Sequence, residues 1–405
     1  MLTRPDYMTA RQVLLEHCAP VGTESVSLFR CTGRLLAQDV IAAENVPSFE
    51  RSPYDGYALR SADVVSASKD APVTLKILEE IAAGSVPTCG VTEGTASKIL
   101  TGAPIPEGAD CVINFEVTEF TAETVTLFAP LKKGKNIVRV GEDVMKGTVL
   151  ASAGHVIDAG TCGTIAAQGI LSPLVYKVPR VAVLSTGSEL VEPDAEVLPG
   201  KIRNSNAYTI CAALSEAGIE PVYLGIAGDD VDQIRELYQL GFETCDAVIS
   251  TGGVSVGDYD LTPDALEQLG AEILIQGVDL KPGMACAYAV RDGKLAFALS
   301  GNPASCMINY YTVALPALKK LCGSAEPLPE EFDIRLLGGF GKKSGSTRIL
   351  RGTLCHEDGM ACMKLPASQG NVVLSTTIGC DTMAIIPSKS DPVPYGTILK
   401  GFLIK

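Results

Sequence analysis

Residues 9–17 carry apolar positions at helical spacing, with Thr9 as a candidate cap. Residues 25–42 break into short alternating segments around Gly33. From residue 46 to about 140 the period falls to two, in VTLKILEEI and TVTLFAP, with Gly and Pro between the runs. That pattern predicts an all-β region. Residues 141–177 hold small residues, turns and one short helical stretch, TCGTIAAQG. After Pro179 the texture changes. RVAVLST, EPVYLGIAG and DAVISTGG read as strands. NSNAYTICAALSEAG, DDVDQIRELYQLG and TPDALEQLG between and after them read as helices, the first capped by Asn204 or Ser205 and stopped at Gly218. Three more strands follow, AEILIQGV, MACAYAV and KLAFALS, then a long helix, ASCMINYYTVALPALKKLCG. Strand–helix alternation of this kind predicts a doubly wound α/β domain with a mostly parallel sheet. Beyond Pro327, prolines and short alternating strands return, as in a small all-β barrel or sandwich.

Length and charge narrow the picture. The chain has 405 residues, room for about two to four domains. With 33 basic and 47 acidic residues its net charge is −14. That argues against nucleic acid or an anionic membrane as a partner. An anionic ligand would have to be met by backbone N–H groups, local cations or a metal. The longest uncharged stretch, residues 295–318, contains Gly301-Asn302-Pro303 and Pro316, so it reads as strand, loop and buried helix. The N-terminal residues lack the pattern of a signal peptide, and a cytoplasmic location is expected. The 13 cysteines are scattered without a CxxC pair, which suits buried thiols in a reduced compartment. Only three histidines occur, none beside a nucleophile motif, so a zinc site and a hydrolase triad are set aside.

The chemistry concentrates at predicted strand ends, where open α/β sheets bind ligands. Thr186-Gly187-Ser188-Glu189 follows one strand. Residues 251–260, with Thr251, Gly252, Gly253, Ser255, Gly257, Asp258 and Asp260, follow another. Ser300-Gly301-Asn302-Pro303 follows a third, and Lys281-Pro282-Gly283 lies between strands. Glycines let a backbone approach a ligand and aim successive N–H groups at an anion. Three such loops at one sheet edge point to a phosphate-bearing ligand. Glu189, Asp229, Asp258 and Asp260 would repel it unless they surround Mg²⁺, although Asp229 also suits simple helix capping. Lys281 and Arg203 are the nearest cations in sequence. Residues 338–344, GGFGKKS, lack P-loop spacing and read as a basic hairpin.

Several segments together resemble the MoeA family of molybdopterin molybdenumtransferases, to which the C-terminal part of gephyrin is related. They are SPYDGYA at 52–58, TGAPIP at 101–106 with GAD at 108–110, GED at 141–143, STGSEL at 185–190, RNSN at 203–206, the 251–260 loop, KPG at 281–283 and SGNP at 300–303. The resemblance implies four domains: residues 1–45 with 142–177, including the N-terminal helix; a β-rich insertion at 46–141; the α/β molybdopterin-binding domain at 178–326; and a C-terminal β-barrel at 327–405. It implies a homodimer with a composite active site, an adenylyltransferase as a candidate partner, and insertion of molybdate into adenylylated molybdopterin with release of AMP. Asp55, Thr101, Asp143, Glu189, Asp229 and Asp260 would be the catalytic set. Glu189, Asp229 and Asp260 would also hold Mg²⁺. Thr186, Gly187, Ser188, Arg203, the 251–258 glycine loop, Lys281, Pro282, Gly283, Ser300, Gly301, Asn302, Pro303 and Arg351 would bind the substrates.

The chain departs from the family pattern in three places. Tyr54 stands before Asp55 where Met is common. Met284 follows Pro282-Gly283 where a Lys is usual, which removes one cation. Asn371 follows Gln369-Gly370 where Ser is common. A tungstate-specific paralogue and a non-catalytic molybdopterin-binding or scaffold dimer are the alternatives.

Overall fold

The computed structural model describes residues 1–254 and 261–404. The expected ligand residues Ser255, Gly257, Asp258 and Asp260 therefore lie outside the described residues. The chain divides into two compact units, one of residues 1–26, 33–37 and 174–405, the other of 27–32 and 38–173.

In the first unit a seven-stranded sheet runs Leu2–Thr3, Glu272–Gln276, Ala287–Arg291, Lys294–Leu299, Ala247–Thr251, Arg180–Thr186, Glu220–Ala227. Arg180–Thr186 is buried at every position after Arg180, as a strand covered on both faces must be. Its neighbours Glu220–Ala227 and Ala247–Thr251 are parallel to it, and Lys294–Leu299 continues in the same sense. Only Ala287–Arg291 reverses, pairing antiparallel on both sides. All the parallel strands therefore end along one edge.

The N-terminal residues complete this unit. Leu2–Thr3 pairs parallel with Glu272–Gln276 at the sheet's far edge. The helix that follows, Tyr7–Glu16, buries Tyr7, Ala10 and Leu14 in one core cluster with Val181, Ile249 and Leu318. Its cap is Asp6 and not Thr9: the Asp6 carboxylate accepts from the amides of Met8 and Thr9. Two helices of the doubly wound layer behave as their sequences predict. Asp230 caps Val231–Thr244, and Gly218, at φ +72°, stops Asn206–Glu216. The long helix is interrupted. Pro303–Asn309 passes through a π-helical turn, Tyr310–Ala314, into Leu315–Leu321. Pro316 has no N–H for the carbonyl of Thr312, and the amide of Leu315 bonds instead to Tyr310 O.

The C-terminal strands Phe332–Leu337, Thr347–Glu357, Met360–Lys364, Thr382–Ile386 and Ile398–Leu403 close into a barrel, because Thr347–Glu357 pairs with both Met360–Lys364 and Thr382–Ile386. Ile334, Leu336, Leu350, Met363 and Ile386 fill it. Leu280–Lys281 pairs in register with Thr347 and Arg348, which fixes the Lys-Pro-Gly loop against the barrel wall.

The second unit holds a six-stranded sheet in the order Cys111–Asn114, Gly56–Leu59, Thr95–Ile99, Val73–Ile81, Thr124–Leu127, Thr118–Phe120. Tyr57, Leu59, Leu75, Val125 and Leu127 form its core. The helix Ala159–Ala167, capped by Asp158, and the pair Val40–Ile41 with Val149–Ala151 belong to the same unit. Among the described residues no helix is long and apolar enough to cross a membrane.

Candidate functional site

The ends of the parallel strands open into a cleft of about 260 Å³ lined by Thr186, Glu189, Arg203, Thr251, Gly301 and Asn302, among others. The floor is polar yet buried. Ser185, Asn204 and Thr251 are each no more than 2% exposed. Ser185 Oγ donates to Asn204 Oδ1 at 3.0 Å and lies 2.9 Å from Thr251 Oγ1. Gly252 and Gly253, at φ +99° and +62°, turn the chain immediately after Thr251. A methyl group on Gly253 would stand 2.8 Å from the hydroxyls of both Thr186 and Thr262, so close approach as well as backbone angle requires glycine there. Both of those hydroxyls are buried without a partner among the described residues.

One wall is held by Ser188 and Asp229. The Ser188 amide donates to Asp229 Oδ2 at 3.0 Å, and the Asp229 amide donates to Ser188 Oγ at 2.9 Å. This joins the loop after Arg180–Thr186 to the loop after Glu220–Ala227. Asp230, and not Asp229, caps the following helix. Glu189 folds over Gly187, where any side chain would strike its carboxylate. Arg203 lines the cleft, but its Nε donates to Pro193 O at 2.9 Å. Among the described residues no three His, Cys, Asp or Glu side chains gather as a metal cluster. Glu189 and Asp229 supply hard oxygen donors on adjoining loops. That suits Mg²⁺, which takes one or two carboxylates and fills its shell with water and phosphate oxygens.

A second hollow of about 380 Å³ lies between the Lys-Pro-Gly loop and the barrel, with Asn302 common to both cavities. Lys281, Lys342 and Arg348 line it together with Ser300, Ser305, Gln369 and Asn371; among the described residues no carboxylate does. Arg348 is half-buried, lies 4.8 Å over the Phe340 ring, and has an Nε without a partner among the described residues. Burial lowers its pKa, though a guanidinium stays charged. Asn309 Nδ2 holds Gly283 O at 2.8 Å, and Asn371 O accepts from the Ala304 amide at 3.0 Å. These bonds pin the two rims. Met284 and Asn371, both departures from the family pattern, fall in this lining.

Arg351 is placed differently. It is 2% exposed, and its Nη2 donates to Ser368 O, Gly370 O and Thr376 Oγ1. It therefore shapes the barrel loop that bears Asn371. Lys342 and Arg348 were not singled out in the sequence. Lys342 lies in the segment read as a basic hairpin, and Arg348 gains meaning only from its pairing with Lys281.

In the second unit, Asp55 and Thr101 meet. Asp55 Oδ1 accepts from the Thr101 amide at 2.7 Å and from its hydroxyl at 2.8 Å. The amide bond first, then the hydroxyl, lowers the Asp55 pKa. Asp143 is exposed; its amide bonds to Val46 O.

A doubly wound domain and a barrel meet along a line that carries a polar cleft beside a cationic hollow, the donor set an anionic small molecule would need. Residues 6–169 match the model of the MoeA N-terminal region (domain I and II), and residues 182–320 match that of a probable molybdopterin binding domain. A molybdopterin molybdenumtransferase from Staphylococcus aureus is 38% identical over 327 residues, 81% of this chain and 78% of its own. One from Bacillus subtilis is 36% identical over 373 residues, 91% of this chain and 84% of its own. The crystal structure of a molybdopterin biosynthesis MoeA protein from Pyrococcus horikosii matches with a TM-score of 0.87 and 30% identity, covering 99% of each chain. The chain belongs to the molybdopterin molybdenumtransferase family.

Proposed function

We propose that this protein acts in molybdenum cofactor biosynthesis, inserting molybdate into the dithiolene of adenylylated molybdopterin and releasing AMP. The cationic hollow carries this reading. Three cations and several neutral donors, with no carboxylate beside them among the described residues, suit a doubly charged oxyanion of four oxygens. The adjoining cleft, reached past Asn302, takes the nucleotide, so oxyanion and phosphoanhydride come to neighbouring places. Met284 stands where the family pattern has a lysine, and Lys342 from the barrel restores a cation to the same hollow. Arg351 acts through the loop it holds.

Glu189 and Asp229, with Asp260, would hold Mg²⁺. When bound, the ion neutralises charge on the phosphate oxygens. Asp55, Thr101 and Asp143 complete the site from the partner of a homodimer, which works in the cytoplasm and receives its substrate from an adenylyltransferase.

The test is AMP release from adenylylated molybdopterin with molybdate, with tungstate, or with neither. Release triggered by molybdate is expected. Tight retention of the nucleotide under all three conditions would overturn the assignment in favour of a carrier. Lys342→Ala should raise the molybdate concentration needed for half-maximal release by roughly tenfold, the order of one charge-assisted contact. An unchanged requirement would remove Lys342 from the oxyanion site.

A further inference from the structure

Either hydroxyl could donate in the contact between Ser185 and Thr251, but the groups around it settle the direction. The sequence of bonds starts outside the cleft at Glu192. Tyr223 OH lies 2.6 Å from Glu192 Oε1, and Tyr208 OH lies 3.0 Å from Oε2. An ionised carboxylate only accepts, so Tyr223 spends its proton on Glu192. Burial, followed by this bond, raises the Tyr223 pKa and keeps the phenol protonated. The Tyr223 oxygen can then only accept from Asn204, 3.0 Å away, which must present Nδ2. The opposite face of that amide, Oδ1, meets two donors, the Ala207 amide at 3.3 Å and Ser185 Oγ at 3.0 Å. Turning the amide over would set donor against donor at Ala207. Ser185 has one hydroxyl proton, and Asn204 takes it. In the remaining contact, 2.9 Å long, Thr251 must donate to Ser185.

We infer that this relay leaves Thr251 with lone pairs alone toward the cleft it lines, so that the nucleotide is recognised there through one of its own N–H or O–H donors, and that Glu192 and Tyr223 are positioning residues that set this polarity. The inference rests on the cleft being the nucleotide site. The bonds joining Asn204, Ala207, Ser185 and Thr251 are buried and that from Asn204 to Tyr223 is half-buried, where an unmatched donor or acceptor is costly; the outermost bond, Tyr223 to Glu192, is exposed, and the Ala207 amide fixes the Asn204 amide independently of it. It also gives a role to Glu192 and Tyr223, neither of which is among the described residues that line the cleft. A ligand atom that can only accept would face the Thr251 oxygen with no proton between them.

Two measurements test this separately. Neutron diffraction from deuterated crystals locates the hydroxyl deuterons without any ligand. The deuteron of Ser185 should point at Asn204 and that of Thr251 at Ser185; the reverse arrangement overturns the relay. Calorimetric Kd values are then compared for AMP and for its 6-deamino, 2′-deoxy and 3′-deoxy analogues. At least one analogue should bind about tenfold more weakly than AMP, the cost of an unmade buried hydrogen bond. Ser185→Ala, which returns a free proton to Thr251, should shrink that ratio severalfold. Tyr223→Phe should shrink it too, while Tyr208→Phe, which leaves the Tyr223 bond to Glu192 intact, should retain most of it. Four equal Kd values in the wild type overturn the donor recognition. If none of the four nucleotides binds while the deuterons lie as expected, the placing of the nucleotide in this cleft fails and the donor recognition fails with it, leaving the polarity of the relay established on its own.

Discussion

Asp55 and Thr101 form a small clamp whose pH behaviour follows from its bonds. The folded Asp55 pKa is lowered, chiefly by the Thr101 amide, so the clamp contributes above the ordinary aspartate range and is lost as pH falls through the folded value. The protection factor of the Thr101 amide, its exchange rate relative to the intrinsic rate at the same pH, should therefore fall as the protein is acidified below that range. Thr101→Val keeps the amide bond and removes the hydroxyl, so it should move the Asp55 titration only part of the way back, which carboxylate NMR would show. At the sheet edge, Gly253→Ala meets two hydroxyls at 2.8 Å and a backbone angle of φ +62°. It should cost about 1–3 kcal/mol of stability in a denaturant titration. A neutral result would mean the turn can relax without disturbing Thr186 or Thr262.

The elements were largely legible from hydrophobic spacing. Runs such as 180–186 and 246–253 read as strands because β-branched residues fill them, and the helix of residues 231–244 because acids open it and apolar positions recur every three or four residues. Asp230 caps that helix through the amides of Asp232 and Gln233, so Asp230→Ala should lower stability by about 1 kcal/mol in thermal melts. A shift of zero would indicate that another group takes over the cap. The first helix shows a limit of pattern reading. Thr9 and Asp6 are both acceptable cap residues, and only the backbone path decides that Asp6 lies outside the first turn. The π turn was hidden for a related reason: Pro316 was visible, but the way a buried helix absorbs it depends on packing. The cationic hollow was half legible. Lys281 stands beside a conspicuous Pro-Gly, whereas Arg348 enters the site through strand register and Lys342 through the loop before that strand, neither of which spacing alone reveals. The hydrogen-bond polarity at Thr251 was not legible, because it depends on Glu192, Tyr223 and Asn204 being stacked by three separate elements.

Across the first unit, the barrel is not an appendage. Ile349, Met383 and Phe402 of the barrel share a core cluster with Leu280, Leu315 and Leu318 of the α/β domain. A chain ending at residue 326 should therefore melt well below the full chain and with a broader transition, as apolar surface of the α/β domain is left uncovered. An equally sharp transition at the same temperature would mean the α/β domain is self-sufficient. For the proposed homodimer, mixing Asp55→Asn subunits with Asp260→Asn subunits should recover AMP release that neither variant shows alone. Failure to recover it would place both residues in one subunit's site, or Asp55 in none.

Leu2–Thr3 closes the far edge of the sheet against Glu272–Gln276, and the helix after it is sealed into the same core. During synthesis, a segment made early must wait for a strand made late, while the whole of the second unit emerges between them. In that interval Leu2–Thr3 has no strand to pair with, and the apolar stripe of Tyr7, Ala10 and Leu14 has nothing to cover it. Nascent chains of this protein thus carry an unpaired terminal strand and an uncovered apolar helix until the last α/β strands leave the ribosome.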